Sequence, residues 1–237
     1  MKKCLAIITA RGGSKRIPRK NIKNFLGSPI IKYSIDAALQ AGCFDEVMVS
    51  TDDDEIAALA LALGAKVPFT RSKENSNDYA TTANVISEVL SNYKRDGESF
   101  EYACCIYPTA PFVTAEKLKI AYQKLKDSSA KTLVPVVSFG FPILRSFNIE
   151  NGLVKMNWPE YMQSRSQDLP PAYHDCGQFY FINTEAFLDT KQLFTDHTIP
   201  YEMPESEVQD IDNEEDWKVA EIKYTFLLEK TRIKKDV

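Results

Sequence analysis

Short apolar runs alternate with longer amphipathic segments along the first part of the chain. The runs have the length and composition of buried strands and cover residues 4–9, 46–51, 66–69, 101–107 and 131–137, with a sixth at 177–182. Segments of helical length separate the first five runs. Strands that alternate with helices predict an α/β fold, with a mainly parallel, doubly wound sheet that carries helices on both faces.

Capping and turn residues indicate where the helices begin and end. The predicted helices span residues 29–41, 55–63, 82–95 and 114–126. Ser28 is expected to cap the first of them, with Pro29 at its first helical position. Asp53 or Asp54 is expected to cap the second, which should end at Gly64 in the left-handed conformation.

The alternation stops between residues 138 and 176, where proline, aromatic and turn residues dominate and "ENG" indicates a hairpin. We interpret this segment as a β-arm inserted into a single core domain, formed by residues 1–137 and 177–230, with a tail at 231–237. An isolated two-stranded hairpin is only marginally stable, so the apolar residues of the arm need a surface to cover. A two-fold partner would provide that surface, and the sequence therefore predicts a homodimer.

Composition narrows the class of protein. The chain has 237 residues, 44% hydrophobic and 26% charged, which is typical of a folded domain. A net charge of −4 argues against a nucleic-acid binder, and two histidines exclude a histidine-rich metal site. Five cysteines without a C-x-x-C spacing favour reduced thiols in the cytoplasm. The longest Ala/Leu-rich stretch, 56–65, is too short to cross a membrane.

The loop after the first predicted strand, "ARGGSKRIPRKN", concentrates positive charge. It contains five cationic side chains, two adjacent glycines and no carboxylate. In doubly wound folds this loop is the usual phosphate site, and glycines with positive φ would turn backbone N–H groups towards an anion. The loop matches neither G-x-x-x-x-G-K-[ST] nor G-x-G-x-x-G. It predicts a polyphosphate site, with a merely solvated basic loop as the alternative.

A pair of acidic residues, Asp210 and Asp212, stands far downstream in "QDIDNEEDW". In extended backbone both carboxylates would point to one side, where they could hold one or two Mg²⁺ ions against phosphate oxygens. Alternatively, Asp212 only caps a helix that begins near residue 214, and Asp210 is solvated.

Several motifs together resemble the acylneuraminate cytidylyltransferases, which make CMP-sialic acids from CTP. They are "IITARGGSKRIPRKNIKNFLGSPII", "VSTDDDEIAALALALGAKV", "RSKENSNDYATT", "RSQDLPPAY" and "QDIDNEEDW", in the order and spacing of that family and over roughly residues 5–224. The resemblance implies a glycosyltransferase-A-like α/β core, a Mg²⁺-dependent reaction, and a homodimer whose arm reaches over the partner's active site.

The resemblance also implies roles for individual residues. With the two glycines of the loop, the expected nucleotide-binding residues are Arg11, Gly12, Gly13, Ser14, Lys20, Asn21, Arg71 and Thr81. The expected catalytic residues are Arg11, Lys20, Asp210 and Asp212, and the last two are also the expected metal ligands.

Two departures from the family pattern lie where the sugar should bind. Tyr107 replaces a glutamine, and "HDCGQ" replaces an Asn-Gly. They favour a nine-carbon 2-keto sugar acid with substituents other than those of N-acetylneuraminic acid. In "CCIYPTAPF", "FPILRSF" and "WPEY" the chain resembles those family members that use pseudaminic acid, with N-acylneuraminic or legionaminic acid as the alternative. The expected sugar-binding residues are Tyr107, Arg165, His174, Asp175 and Gln178. For His174 with Asp175 an acid–base role is the alternative, and for Arg165 a structural ion pair is the alternative to binding the sugar carboxylate.

The chemistry that these residues would support is attack by the sugar C2 hydroxyl on the α-phosphorus of CTP, with pyrophosphate as the leaving group. No covalent enzyme intermediate is required. Three other hypotheses stay open: a 3-deoxy-octulosonate cytidylyltransferase, a module that binds CTP without turnover, and an adaptor whose basic loop binds an acidic partner.

Overall fold

The computed structural model describes residues 2–235 and has a central seven-stranded sheet. The strands of these residues are β1 (Lys2–Thr9), β2 (Asn24–Phe25), β3 (Ser28–Pro29), β4 (Glu46–Ser50), β5 (Phe100–Ile106), β6 (Thr132–Ser138), β7 (Phe147–Glu150), β8 (Leu153–Met156), β9 (Tyr173–Asp175), β10 (Phe179–Asn183) and β11 (Thr198–Glu202). The helices are α1 (Ile30–Ala41), α2 (Asp54–Ala62), α3 (Thr82–Arg95), α4 (Ala115–Lys126), α5 (Thr184–Thr190) and α6 (Glu214–Lys235).

The sheet has the order β11-β6-β10-β5-β1-β4, and β9 pairs with β6. Strands β4, β1 and β5 are parallel, as are β6 and β11. Strand β10 runs antiparallel to both β5 and β6, and β9 is antiparallel to β6. The mainly parallel α/β fold that the sequence predicts is confirmed, with β10 and β9 as the reversed strands.

Helices cover both faces of the sheet. On one face α1, α2 and α4 pack against buried residues of β1 such as Ala6 and Ile8. On the other face α3 and α5 pack against Leu5 and Ile7 of the same strand. Because β1 is buried on both faces, its sequence is continuously apolar rather than alternating. The carboxyl ends of β1, β4 and β5 therefore meet at one edge of the sheet, where the site lies.

A third apolar cluster joins α6 to the loop that follows β1. Trp217 of α6 packs edge-on against Phe25, with ring centroids 5.6 Å apart, and both side chains are buried with Ile17 of the loop. Ile211, from the acidic segment before α6, belongs to the same cluster. This cluster therefore brings together the two motifs of the sequence that carry the most charge.

Two element predictions are wrong. Residues 66–69 form no strand: Lys66 makes an isolated bridge with Met48, and the next bridge, between Thr70 and Thr51, lies just beyond them. Pro68 lacks the N–H that a continued ladder needs. Ser28 does not cap α1, because it pairs with Phe25 across a tight turn at Leu26 and Gly27, which both have positive φ, so that α1 begins at Ile30.

The inserted segment forms the expected hairpin. Strands β7 and β8 pair across Asn151 and Gly152, whose φ values of 53° and 79° fit a tight hairpin turn. Its apolar side chains are exposed, with Ile149 at 78% and Leu153 at 74%. Strand β9, also within residues 138–176, belongs to the main sheet. Helix α6 continues into the predicted tail at 231–237, of which residues 236 and 237 lie outside the described residues.

Candidate active site

The loop after β1 is folded back on itself and onto α2. Asn21 is buried and its side-chain amide donates to the carbonyl of Arg11 at 2.9 Å. Gly12 donates its backbone N–H to Asp52 at 3.0 Å. Contrary to the sequence prediction, neither Gly12 nor Gly13 has a positive φ. The first glycine is required for another reason, which is the close approach of Asp53.

Asp53 packs directly against Gly12. Its carboxylate caps α2 by accepting from the N–H of Ile56 at 3.0 Å, and it also accepts from Arg19 at 2.5 and 3.0 Å. The hydrogen bond from Arg19 lowers the pKa of Asp53 to about 2, so this carboxylate is ionised at neutral pH. A Cβ atom at Gly12 would lie 2.7 Å from a carboxylate oxygen of Asp53.

We therefore expect Gly12→Ala to lower the free energy of unfolding by about 1–3 kcal/mol, because the added methyl group must displace Asp53 from the helix cap. Gly13→Ala is the matched control, since a Cβ atom there meets nothing within 4 Å. Its effect should stay within about 0.5 kcal/mol. Denaturant unfolding of the two variants measures the difference, and equal stabilities would contradict the steric argument.

Carboxylates from distant parts of the chain neutralise most of the loop cations. Asp78 accepts from Arg11 at 2.9 Å and also pairs with Lys15. Arg16 pairs with Asp212 at 2.7 Å. The loop itself contains no carboxylate, so these partners come from far along the chain. A polyphosphate that enters the site would exchange with these carboxylates for the same cations.

Lys20 differs from the other cations because it is mostly buried. Its ammonium group donates to the carbonyl of Ile211 at 2.7 Å. Burial lowers the pKa of Lys20, and the nearby carboxylates of Asp212 and Asp210 act in the opposite direction. This contact joins a cation of the basic loop to the backbone between the two acidic residues.

A pocket of about 420 Å³ lies at this edge of the sheet. Of the residues predicted from the sequence, those that line it are Arg11, Ser14, Lys20, Asn21, Arg71, Tyr107 and Asp212. Lys15 and Arg16, two of the five cations of the predicted polyphosphate loop, line it as well. Polar lining residues that the sequence analysis did not select are Thr9, Asn75, Asn77, Asp78, Thr82 and Thr109. Most of these belong to the quoted motifs, so position in a motif is the signal that could have identified them.

Arg71 lines the pocket beside the end of β4. Arg71 is buried, donates through Nε to the Ser50 hydroxyl at 3.0 Å, and also bonds the Ser50 carbonyl. Burial lowers the pKa of Arg71 to about 10, which leaves it cationic at neutral pH. Thr81 lies outside the pocket lining and caps α3, accepting from the N–H of Asn84 at 3.2 Å, whereas Thr82 lines the pocket.

The acidic pair borders the pocket through Asp212, while Asp210 lies beside Gly177. Burial and the charge of Asp212 raise the pKa of Asp210. The alternative role for Asp212 as a helix cap is wrong. Asn213 caps α6, accepting from the N–H groups of Glu215 at 2.8 Å and Asp216 at 3.0 Å.

The donor set at the acidic pair fits Mg²⁺. In the described part of the chain, no group of three or more His, Cys, Asp or Glu side chains could hold a metal ion. Magnesium commonly binds through one or two carboxylates together with substrate phosphates, and this pair borders a cationic pocket. A cation here would also oppose the two effects that raise the pKa of Asp210, its desolvation and the charge of Asp212.

The residues predicted to bind sugar are not all brought together. Tyr107 lines the pocket, and its hydroxyl is 3.0 Å from that of Thr82. Asp175 accepts from the Tyr180 hydroxyl at 2.6 Å and lies outside the lining. His174 is exposed, and its ring Nδ1 is 2.9 Å from the Asp175 carbonyl oxygen.

Two other predicted sugar ligands also lie outside the lining. Gln178 is buried, with its amide nitrogen donating to the carbonyl of Glu207 at 2.9 Å. Arg165 is on the arm, where its side chain is 72% exposed and bonds Asp168 at 2.7 and 3.2 Å. Neither residue contacts the pocket of its own chain, and their assignment to the sugar stays a prediction.

Comparisons with known proteins agree with this geometry. A protein-family model described as cytidylyltransferase matches residues 5–233. The chain is 45% identical over 223 residues to a pseudaminic acid cytidylyltransferase of Campylobacter jejuni, covering 94% of this chain and 96% of that protein. It is 32% identical to a CMP-N,N'-diacetyllegionaminic acid synthase of Legionella pneumophila, over 92% of this chain and 94% of the relative.

Among solved structures, the chain resembles a CMP:2-keto-3-deoxy-manno-octonic acid synthetase complexed with CTP. The TM-score is 0.67 at 16% identity, over 96% of this chain and 100% of the other. A likeness at this identity shows a shared fold. No helix among residues 2–235 combines the length and the apolar character needed to span a bilayer.

Proposed function

The chain belongs to the cytidylyltransferase family, and from this premise we propose that it transfers CMP from CTP to the anomeric C2 hydroxyl of pseudaminic acid, releasing pyrophosphate. The observation that carries the proposal is the contact between Lys20 and the Ile211 carbonyl at 2.7 Å. It joins the cationic loop, suited to the phosphates, to the segment of the acidic pair, suited to a divalent cation. Both halves of a nucleotidyl-transfer site therefore border one pocket.

The basic loop has the charge to bind the triphosphate and to stabilise the leaving pyrophosphate. Arg11, Lys15 and Arg16 line the pocket with cationic groups that are paired with Asp78 and Asp212. Phosphate oxygens that replace these carboxylates gain several charge-assisted hydrogen bonds. Lys20 and Arg11 then neutralise the charge that develops on the β- and γ-phosphates as the bond to the α-phosphorus breaks.

The acidic pair acts on the other side of the reacting phosphorus. Asp210 and Asp212 would hold Mg²⁺, which supplies polarisation of the phosphoryl oxygen and a lower pKa for the acceptor hydroxyl. One of the two carboxylates receives the proton of the C2 hydroxyl as its oxygen attacks the α-phosphorus. The five cysteines and Ser14 form no covalent intermediate in this scheme. All five cysteines are unpaired, which supports our assignment of the enzyme to the reducing cytoplasm.

Pyrophosphate release tests the proposed reaction against the alternatives. With CTP, Mg²⁺ and pseudaminic acid, the protein should release pyrophosphate in amounts equal to the sugar consumed. With 3-deoxy-octulosonate in place of pseudaminic acid, release should be far slower. If the protein binds CTP but releases no pyrophosphate with any sugar acid, it is a CTP-binding module rather than an enzyme.

We also propose that the active form is a homodimer and that Arg165 binds the sugar carboxylate in the partner's site. The arm exposes a set of apolar side chains that includes Phe141, Phe147, Ile149, Leu153 and Val154. Covering them with a second copy would remove this apolar surface from water. Arg165 is on the same arm and lies outside the pocket of its own chain, so a sugar carboxylate bound by Arg165 would sit in a partner's pocket.

Mixing two inactive chains tests this arrangement. In a heterodimer of Arg165→Ala and Asp212→Ala chains, one site would carry both defects and the other neither. Random assortment makes half of the dimers mixed, so about a quarter of wild-type activity should return. A mixture of Asp210→Ala with Asp212→Ala chains is the control and should recover nothing. If mixed dimers form and activity stays at the level of the separate variants, Arg165 does not act across the interface.

A further inference from the structure

The segment that carries the acidic pair, residues 205–213, is held by side chains rather than by a sheet. Within residues 2–235 it pairs with no strand. Lys223 of α6 donates to the carbonyl of Val208 at 2.7 Å, and Lys20 donates to that of Ile211 at 2.7 Å. Asp216 accepts from the N–H groups of Asp212 and Asn213. The position of this segment therefore depends on individual side-chain contacts.

Glu207 receives two of these contacts at once. Lys117 of α4 forms an ion pair with its carboxylate at 2.6 Å, and Gln178 donates to its carbonyl at 2.9 Å. The Lys117 and Glu207 side chains are only 12% and 19% exposed, so this pair is much less solvated than the other ion pairs of the site. Separating the two side chains would leave each charge poorly hydrated, which costs free energy. The two side chains therefore stay in contact.

Lys117 also connects the acidic segment to the nucleotide pocket. The same ammonium group donates to the carbonyl of Phe112 at 2.7 Å. Phe112 lies in the loop that follows β5, and Tyr107, Pro108 and Thr109 of that loop line the pocket. Lys117 is thus bonded to the pocket loop on one side and to the acidic segment on the other.

We propose that Glu207 is a positioning residue that fixes Asp210 and Asp212 relative to the nucleotide pocket, through its bonds to Lys117 and Gln178. This inference rests on the proposed function. Glu207 precedes Asp210 by three residues, a reach of at most about 10 Å, so a shift at Glu207 is transmitted to the carboxylate. Glu207 itself is not expected to touch substrate or metal.

Manganese binding measures the effect without relying on turnover. We would titrate Mn²⁺ by electron paramagnetic resonance in the presence of CTP, with the variants Glu207→Gln and Lys117→Met and their double variant. Each single variant should bind Mn²⁺ at least about 10-fold more weakly, the usual cost of losing a group that orients metal ligands. CTP binding without metal should stay at the wild-type level in Glu207→Gln, which keeps the bond from Lys117 to the pocket loop.

The double variant and a surface control separate positioning from general damage. The double variant should bind Mn²⁺ more tightly than the weaker single variant, because it leaves no unpaired buried charge. Lys124→Met is the matched control on the same helix, where Lys124 bonds the carbonyl of Pro200 instead. It should bind Mn²⁺ like the wild type. Gln178→Met removes the second bond to Glu207 and repeats the test if Lys117→Met does not fold.

The outcomes distinguish this inference from the proposed function. Wild-type protein that binds Mn²⁺ with CTP, together with an Asp212→Ala variant that does not, supports the metal site. If Glu207→Gln and Gln178→Met then bind Mn²⁺ as the wild type does, the positioning role is overturned and the proposed function stands. If the wild type itself shows no CTP-dependent Mn²⁺ binding, the metal site and the inference both fail.

Discussion

Asp212→Ala is expected to lower turnover by at least about 100-fold, the size of effect seen when a main electrostatic stabiliser of a transition state is lost. Asp212 lines the pocket, and its carboxylate is 43% exposed and bonded to Arg16. Its side chain does not cap α6, because Asn213 does. The substitution therefore removes a carboxylate from the site without removing the helix cap.

The measurement is kcat at saturating CTP, sugar and Mg²⁺, together with a thermal melt that verifies folding. Glu214→Ala is the matched control, since Glu214 is a nearby exposed carboxylate that pairs with Lys23 outside the pocket. Its turnover should be close to that of the wild type. The activation free energy should change by only a few tenths of a kcal/mol, about the contribution of an exposed ion pair. Wild-type turnover by Asp212→Ala would reject its role at the metal.

Lys20→Ala is expected to weaken transition-state stabilisation by about 2–4 kcal/mol, measured as the change in kcat/KM for CTP. The substitution removes a mostly buried cation from the pocket, together with its bond to the Ile211 carbonyl. Burial lowers the pKa of Lys20, so Lys20 loses its charge at a pH below the ordinary lysine pKa of 10.5. Wild-type activity should therefore fall as the pH rises towards that value.

Lys23→Ala is the control for Lys20→Ala. Lys23 lies on the same loop, but its ammonium group is over the Trp217 ring at 4.7 Å and pairs with Glu214. Its loss should leave kcat/KM for CTP nearly unchanged. An unchanged kcat/KM for Lys20→Ala would exclude Lys20 from binding the phosphates, whatever the result for Asp212.

The sequence predicts those parts of the fold that local signals determine. Helix α3 has the predicted bounds, because Thr81 offers a cap and an amphipathic run follows it. Two predictions are wrong, the strand at 66–69 and the cap at Ser28, because the conformation of the neighbouring backbone determines both segments. Pro68 interrupts one ladder, and the turn at Leu26 and Gly27 pairs Ser28 with Phe25.

The candidate site divides in the same way. The sequence identifies three residues that line the pocket, Arg11, Lys20 and Asp212. They belong to clusters of like charge next to predicted strands and helices, and such clusters can be recognised from the sequence alone. The pairing of Asp78 with Arg11 joins residues 67 positions apart, and no local pattern predicts such a contact. The close approach of Asp53 to Gly12 is also tertiary, so the sequence assigns that glycine a positive φ that it does not have.

Identification of the product tests the central claim most directly. The protein would be incubated with CTP and Mg²⁺ and with pseudaminic, legionaminic or N-acetylneuraminic acid in separate reactions, each analysed by mass spectrometry. We expect the mass of CMP-pseudaminate, formed with one pyrophosphate per sugar and at a rate well above those of the other two acids. Preferential formation of another CMP-sugar, or no CMP-sugar from pseudaminic acid, would contradict the account.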